Sequence, residues 1–264
     1  MTLFVLQNNR MEHLVYPVLD FCKANGFQFL DRSMTDELDF DKLDYLEFGG
    51  TEQAMIVYGS VGWCIRASES EALGQYVWNH TEVFEADYWL KRLGENYLNH
   101  DGVLVRAELV AEAMDSIYHL SGKYHLRPNN EDKAFLGAVY DKESWLKHKE
   151  ERNVKDWLKV MMSPVKKINA EYRSWVIDGR IVEISQYRLN DVHDRQHIVD
   201  PALFAVAQGL AEQMHTDHPY VLDFAATDDG YKLIETNPLH ASGWYAADVA
   251  NVLNEWIKYA NKQR

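Results

Sequence analysis

Two Asp-Gly turns set between apolar runs constrain this chain more than any other feature. Val176-Ile177 and Arg180-Ile181 flank Asp178-Gly179. A two-residue hairpin loop needs positive φ at both central positions, and Asp-Gly accepts this readily, so an antiparallel hairpin is predicted here. A second hairpin follows, with Tyr220 to Phe224 and Tyr231 to Glu235 joined through Asp228-Asp229-Gly230. Between them Leu203, Val206, Ala207, Leu210 and Met214 recur at helical spacing, as do Val249, Ala250, Leu253 and Ile257 within Ala246 to Ala260. The C-terminal part should therefore be an antiparallel sheet with helices against it.

The first ninety or so residues read differently. Leu3-Phe4-Val5-Leu6 is strand-like, and Leu14, Val15, Val18, Leu19 and Cys22 have helical spacing with Gly26 as a stop. Pro17 should start or bend that helix. Phe27 to Leu30, Met55 to Tyr58 and Tyr76 to Trp78 read as short buried strands, which gives a small α/β layer. The acidic stretch from Asp31 to Glu47, before Gly49-Gly50, reads as a solvated helix or loop. A helix is expected over Glu85 to Leu98, burying Leu90, Leu93 and Tyr97, with a turn at Asn99-His100-Asp101-Gly102. Lys142 to Lys155, rich in both charge signs, reads as an exposed helix or flap. At about 150 residues per domain, 264 residues allow one large or two modest domains. The boundary is placed so that residues 1–95 form the α/β domain and 96–264 the second.

Charge and cysteines exclude several function classes. With 27 Lys and Arg against 41 Asp and Glu, the formal net charge is −14, and the summed field repels nucleic acid and anionic membranes. Cys22 and Cys64 alone cannot build a disulfide framework or a four-cysteine zinc site. No apolar run approaches the 18 or more residues of a membrane span. The expectation is a soluble protein of a reducing cytoplasm.

Candidate chemistry sits on the second hairpin. If its arms pair antiparallel, Asp223, Glu235 and Asn237 project from one face, because side chains two apart on a strand share a face. Three hard oxygen ligands suit Mg²⁺, which binds few carboxylates and keeps places for substrate phosphates. The competing reading is two exposed strand-end carboxylates and an Asn-Pro turn. Arg173 and Arg188 lie on opposite arms of the first hairpin, near its open end, where two guanidiniums could grip phosphoryl oxygens or a carboxylate. Surface ion pairs with Glu171 or Glu183 are the alternative. His193 and His197 lack the Glu of a zinc-peptidase helix, and Gly59-Ser60-Val61-Gly62-Trp63 lacks a Walker lysine.

The ordered set of Arg127, Lys133, Ser163-Pro164, Glu171-x-Arg173, Arg188, Asp223 and Glu235-x-Asn237 resembles the ATP-grasp superfamily. It is most similar to the compact phage and bacterial clade named for two arginines and a lysine. The resemblance spans roughly residues 95 to 264 and implies a small Rossmann-like domain ahead of a two-lobed ATP-grasp domain, an α/β and α+β fold. It also implies an ATP- and Mg²⁺-dependent ligase that joins a carboxylate to an amine through an acyl phosphate with release of ADP. Two Mg²⁺ would bridge the phosphates on Asp223, Glu235 and Asn237, while Arg173 and Arg188 stabilise the transferred group. Arg127 and Lys133 match the cations that approach the α- and β-phosphates. The hinge Val160-Met161-Met162-Ser163 would hold adenine, its methionines being core filler on the other reading. His240 or Ser242 would orient the second substrate. Partners would be small-molecule or peptide carboxylates and amines, in a host cytoplasm if the chain is phage-encoded. The segment near Arg127 lacks the glycine-rich flap of many relatives. A non-catalytic nucleotide-binding phage accessory protein and an ATP-dependent phosphotransferase are the alternatives.

Overall fold

The computed structural model describes residues 2–7, 12–32, 54–71, 73–78, 82–116, 122–130, 134–214, 216 and 218–263. Most of the acidic stretch from Asp31 to Glu47 lies outside them, as do Gly49-Gly50, Lys133 and His215.

The chain begins with β1 (Thr2–Gln7), α1 (Glu12–Asn25), β2 (Gln28–Arg32) and β3 (Ala54–Tyr58), which build a parallel sheet of order β2-β1-β3. Pro17 lies inside α1, and the chain leaves that helix at Gly26 with φ +69°. α2 (Val61–Ser68) follows β3. Tyr76 to Trp78 is not a strand. Gly74–Tyr76 is a single 3-10 turn, and the Trp78 amide donates to His240 Nε2 at 3.3 Å rather than to a neighbouring strand.

α3 (Ala86–Arg92) is shorter than its hydrophobic spacing suggests, because Gly94 takes φ +49° and the chain turns. Leu93 and Tyr97 are buried as expected, but from beyond the helix. β4 (Val103–Arg106), α4 (Val110–Ser116), β5 (Tyr124–Pro128), β6 (Ala138–Tyr140), α5 (Lys142–Glu151) and β7 (Lys159–Pro164) form the next layer, an antiparallel sheet of order β4-β7-β5-β6. The charged segment after Tyr140 is a helix because Asp141 and Ser144 form a reciprocal capping box, and Trp145 anchors it in the core.

The C-terminal part is β8 (Ala170–Ile177), β9 (Arg180–Leu189), β10 (Val192–His197), α6 (Pro201–Ala211), β11 (Tyr220–Thr227), β12 (Gly230–Pro238) and α7 (Val249–Lys262). Its sheet has the order β10-β9-β8-β11-β12, all antiparallel. Both hairpins form, with Asp178 at φ +54° and Gly179 at φ +70° in the first turn. One sheet face buries Tyr172, Leu222 and Phe224 against Leu203, Ala207 and Leu210 of α6. The other buries Trp175, Ile177 and Val221 against α7, α1 and β3.

Each of these two cores joins segments far apart among the described residues. The first takes in Val83, Trp89 and Tyr97; the second joins Phe4, Val18 and Ile56 to Trp256 and Tyr259. Packing is thus continuous across residue 95. No helix among the described residues is long and apolar enough to cross a membrane.

Candidate functional site

Strand alternation explains how the site arises. On β8 the residues Glu171, Arg173, Trp175 and Ile177 share one face. Trp175 and Ile177 are core at one end of it, while Glu171 and Arg173 line a cavity of about 1130 Å³ at the other. Arg173 stands directly opposite Asp223 on β11, and Asp223 directly opposite Glu235 on β12. Three neighbouring strands therefore place these side chains in one row on the cavity floor. Asn237, two residues beyond Glu235, continues it.

The row is held by charge-assisted hydrogen bonds. Arg173 donates from Nε to Asp223 Oδ1 at 2.8 Å and from Nη2 to Oδ2 at 2.6 Å. Its Nη1 reaches the Gly243 carbonyl at 3.4 Å, and the guanidinium lies 4.9 Å from the Tyr245 ring centre. Burial works against the Arg173 charge, but Asp223 holds it firmly protonated. Burial pushes the Asp223 carboxyl above its usual range against the opposing pull of Arg173, and Glu235 and Glu171 add to the rise.

Arg127 enters from β5 in the other lobe. Its Nη2 lies 2.7 Å from Glu235 Oε2, its Nη1 donates to the Ile234 carbonyl at 3.2 Å, and it sits 4.8 Å over the Trp89 ring. Glu235 Oε1 accepts from Asn237 Nδ2 at 2.9 Å. Arg188 Nη1 donates to Glu171 Oε1 at 2.8 Å, while its Nε is buried with no partner. Each of the three arginines at the cavity is thus paired with a carboxylate.

The structure brings together Arg127, Arg173, Arg188, Asp223, Glu235 and Asn237, and Ser242 also lines the cavity. Other expected residues lie elsewhere. Met161 and Met162 point to opposite faces of β7, each into a core, and their strand is paired on both sides, with β4 and β5. Ser163 is buried and donates to Asn99 Oδ1 at 2.9 Å. Where this strand leaves the sheet the cavity wall is instead Val165 to Ile168, just past Pro164.

His240 requires a correction. Its imidazole is fully buried, with Nδ1 2.8 Å from the Val57 carbonyl and Nε2 accepting from the Trp78 amide. Both nitrogens are committed, and the ring cannot orient a substrate. Burial lowers its pKa to about 4, which fixes the neutral form those two contacts require. Ser242 is pinned too, with Oγ donating to the Pro238 carbonyl and its own carbonyl accepting from Tyr58.

Sequence reasoning missed several cavity residues. Tyr245 stacks on Tyr187 at 4.8 Å and holds φ +50°, an unfavourable backbone for a bulky side chain. His125, two residues before Arg127 on the same strand, also lines the wall, and burial lowers its pKa to about 4. Period-two alternation from Arg127 would have found His125; nothing local marks Tyr245. His193 and His197 lie on β10, where His197 Nε2 sits 2.6 Å from Glu183 Oε1.

A family model of the ATP-grasp domain, in the clade named for two arginines and a lysine, family 3, matches residues 61–255. No curated protein sequence matches the chain. Among solved structures, D-cycloserine synthetase DcsG superposes with a TM-score of 0.66 at 12% identity, covering 99% of this chain and 100% of that one. A D-alanine–D-alanine ligase from Bacillus anthracis gives 0.63 at 12% identity, covering 100% and 98%. An L-amino acid ligase from Bacillus licheniformis gives 0.63 at 10% identity, covering 98% and 74%. These likenesses establish the fold, and with the family match over most of its length the chain belongs to family 3 of the two-arginine-and-lysine clade of ATP-grasp domains.

Proposed function

We propose that the protein is an ATP- and Mg²⁺-dependent ligase that joins a carboxylate to an amine through an acyl phosphate. The observation that carries the reading is the row Arg173, Asp223, Glu235 on three adjacent strands, facing Arg127 across the cavity. Acidic and cationic groups interleaved in one cleft suit a polyanion that arrives with its own divalent cation, and the family match and ligase-like fold point the same way.

The donor set fits magnesium. Asp223, Glu235 and Asn237 offer carboxylate and amide oxygens from one face, the hard ligands that Mg²⁺ takes alongside phosphate and water. Among the described residues no group of three or more His, Cys, Asp and Glu is placed to hold a metal by itself, so nucleotide oxygens would complete the coordination. When bound, the metal would supply charge neutralisation on the phosphates.

The remaining roles belong to side chains. Arg127 and Lys133 would hold phosphate oxygens, and Arg188 would meet the transferred phosphoryl group, since only its Nη1 is shared with Glu171. Arg173, spent on Asp223 and Gly243, would act by keeping Asp223 ionised and aimed. A substrate carboxylate oxygen attacks the γ-phosphorus and ADP leaves. The amine then attacks the acyl carbon, loses a proton and expels phosphate. Catalysis is positioning and electrostatics, with no protein nucleophile. Ser60 at the N-cap of α2, Val61 and Ile65 within that helix, and Leu14 of α1 would shape the pocket for the second substrate.

The test is an ADP-release screen of acid and amine pairs, followed by ¹⁸O labelling of the active acid. The proposal expects ADP and one ¹⁸O transferred into inorganic phosphate. AMP with pyrophosphate would contradict it, and a stable phosphorylated product would identify a phosphotransferase.

A further inference from the structure

The three arginine–carboxylate pairs have a consequence for how the nucleotide enters. Arg127 is anchored by its stem and by two of its nitrogens. It lies over Trp89, with Nη1 on the Ile234 carbonyl and Nε on the Pro128 carbonyl at 3.4 Å. Only Nη2 reaches the Glu235 carboxylate, at 2.7 Å. The other carboxylate oxygen is taken by Asn237. The two donors that would serve a metal on β12 therefore already bond each other, and the carboxylate is neutralised by a cation from the opposite lobe.

We infer that Arg127 is the resident counter-ion of Glu235, and that a metal–nucleotide complex binds by exchanging partners with this pair. Arg127 Nη2 passes from the carboxylate to a phosphate oxygen as Glu235 passes to the metal. This inference rests on the functional reading above and adds to it a selection for the form of the ligand. A metal ion alone meets a carboxylate whose charge is already spent. A metal-free triphosphate meets an arginine already paired, with Glu235, Asp223 and Glu171 repelling it. The complex of the two replaces both partners at once. At the effective dielectric of about 20 that suits such sites, a contact a few ångströms long is strong enough to set this preference. Thermodynamic reciprocity then requires that metal and nucleotide strengthen each other's binding by the same factor.

The experiment uses the full chain, with Mn²⁺ alone followed by electron paramagnetic resonance and ATP in excess chelator followed by calorimetry. Arg127→Met should tighten Mn²⁺ alone by about tenfold while weakening metal-free ATP. Glu235→Gln should do the reverse, tightening metal-free ATP by about fivefold and abolishing Mn²⁺ binding. Lys149→Met and Asp156→Asn, an ion pair that does not line the cavity, control for a change of net charge and should change these values less than threefold. Equal effects at the two pairs, or Mn²⁺ affinity unchanged or weakened in Arg127→Met, would overturn the exchange while leaving the ligase reading intact. A wild-type chain that binds no Mn-ATP would overturn that reading itself. Because Arg127 is buried and its replacement can unfold the chain, Glu235→Gln with its near-identical shape provides an independent arm.

Discussion

Arg173 grips Asp223 through two parallel hydrogen bonds of 2.8 and 2.6 Å, from directly opposed positions on neighbouring strands. Both residues are buried, so each charge depends on the other. Arg173→Met or Asp223→Leu alone leaves an uncompensated charge and should cost about 3–5 kcal/mol in urea unfolding. The double variant should recover much of that loss, because two apolar groups replace two charges. Additive losses would show that the residues do not act as a pair.

His240 should make stability fall in mild acid. Its folded pKa is lowered from 6.5 to about 4, so below pH 6.5 the unfolded chain binds a proton that the folded chain refuses. Stability is then full above pH 6.5 and declines as the pH drops toward 4, by on the order of 3 kcal/mol. Urea melts across that range should show the slope in wild type and a shallower one in His240→Gln. The same variant should be less stable at pH 7, since Val57 and Trp78 lose their partners. An unchanged slope would remove His240 as its source.

Gly59 should tolerate no side chain. A Cβ there would lie 2.7 Å from Gln7 Cβ and 2.7 Å from Trp63 Cε3, and its amide is fixed to the His240 carbonyl at 2.9 Å. Gly59→Ala should lower stability by about 1–3 kcal/mol and loosen the junction of β3, α2 and the loop after β12. Thermal melting of that variant is the check, and wild-type behaviour would mean the junction yields easily.

Much of this was legible in the sequence because strand geometry is local. Period-two alternation around the second turn places Asp223, Glu235 and Asn237 on one face, and Arg173 joins them through the pairing of β8 with β11. The match of Arg127 to a cationic family position carried it into the same cleft. What failed depended on the third dimension. Met161 and Met162 look like a lining, yet β7 is an interior strand of its sheet and its two faces pack into different cores. His240 looks like a loop residue near the metal strand, yet the parallel sheet of the first layer closes over it. Tyr76 to Trp78 has strand composition, yet among the described residues no sheet includes it. The helix before Asn99 is cut short by one glycine whose positive φ outweighs the hydrophobic spacing on either side.

The ionised states of the site give a pH expectation of a different kind. Burial raises the Asp223 carboxyl, with Glu235 and Glu171 contributing, so its charge should be lost at a higher pH than that of an ordinary aspartate. Nucleotide affinity in the presence of Mg²⁺ should accordingly weaken as pH falls toward the carboxylate range. Glu171→Gln removes one of the neighbours that raise it, and should move that midpoint downward. A midpoint that does not move would separate Glu171 from the titration.

The central claim is that Asp223 and Glu235 hold a metal–nucleotide complex, and calorimetric titration of Mg-ATP into wild type and into the Asp223→Asn, Glu235→Gln double variant tests it most directly. The account predicts binding by wild type and a loss of at least about 100-fold in the variant, with circular dichroism showing the fold retained. Equal affinity in the two folded proteins would contradict it.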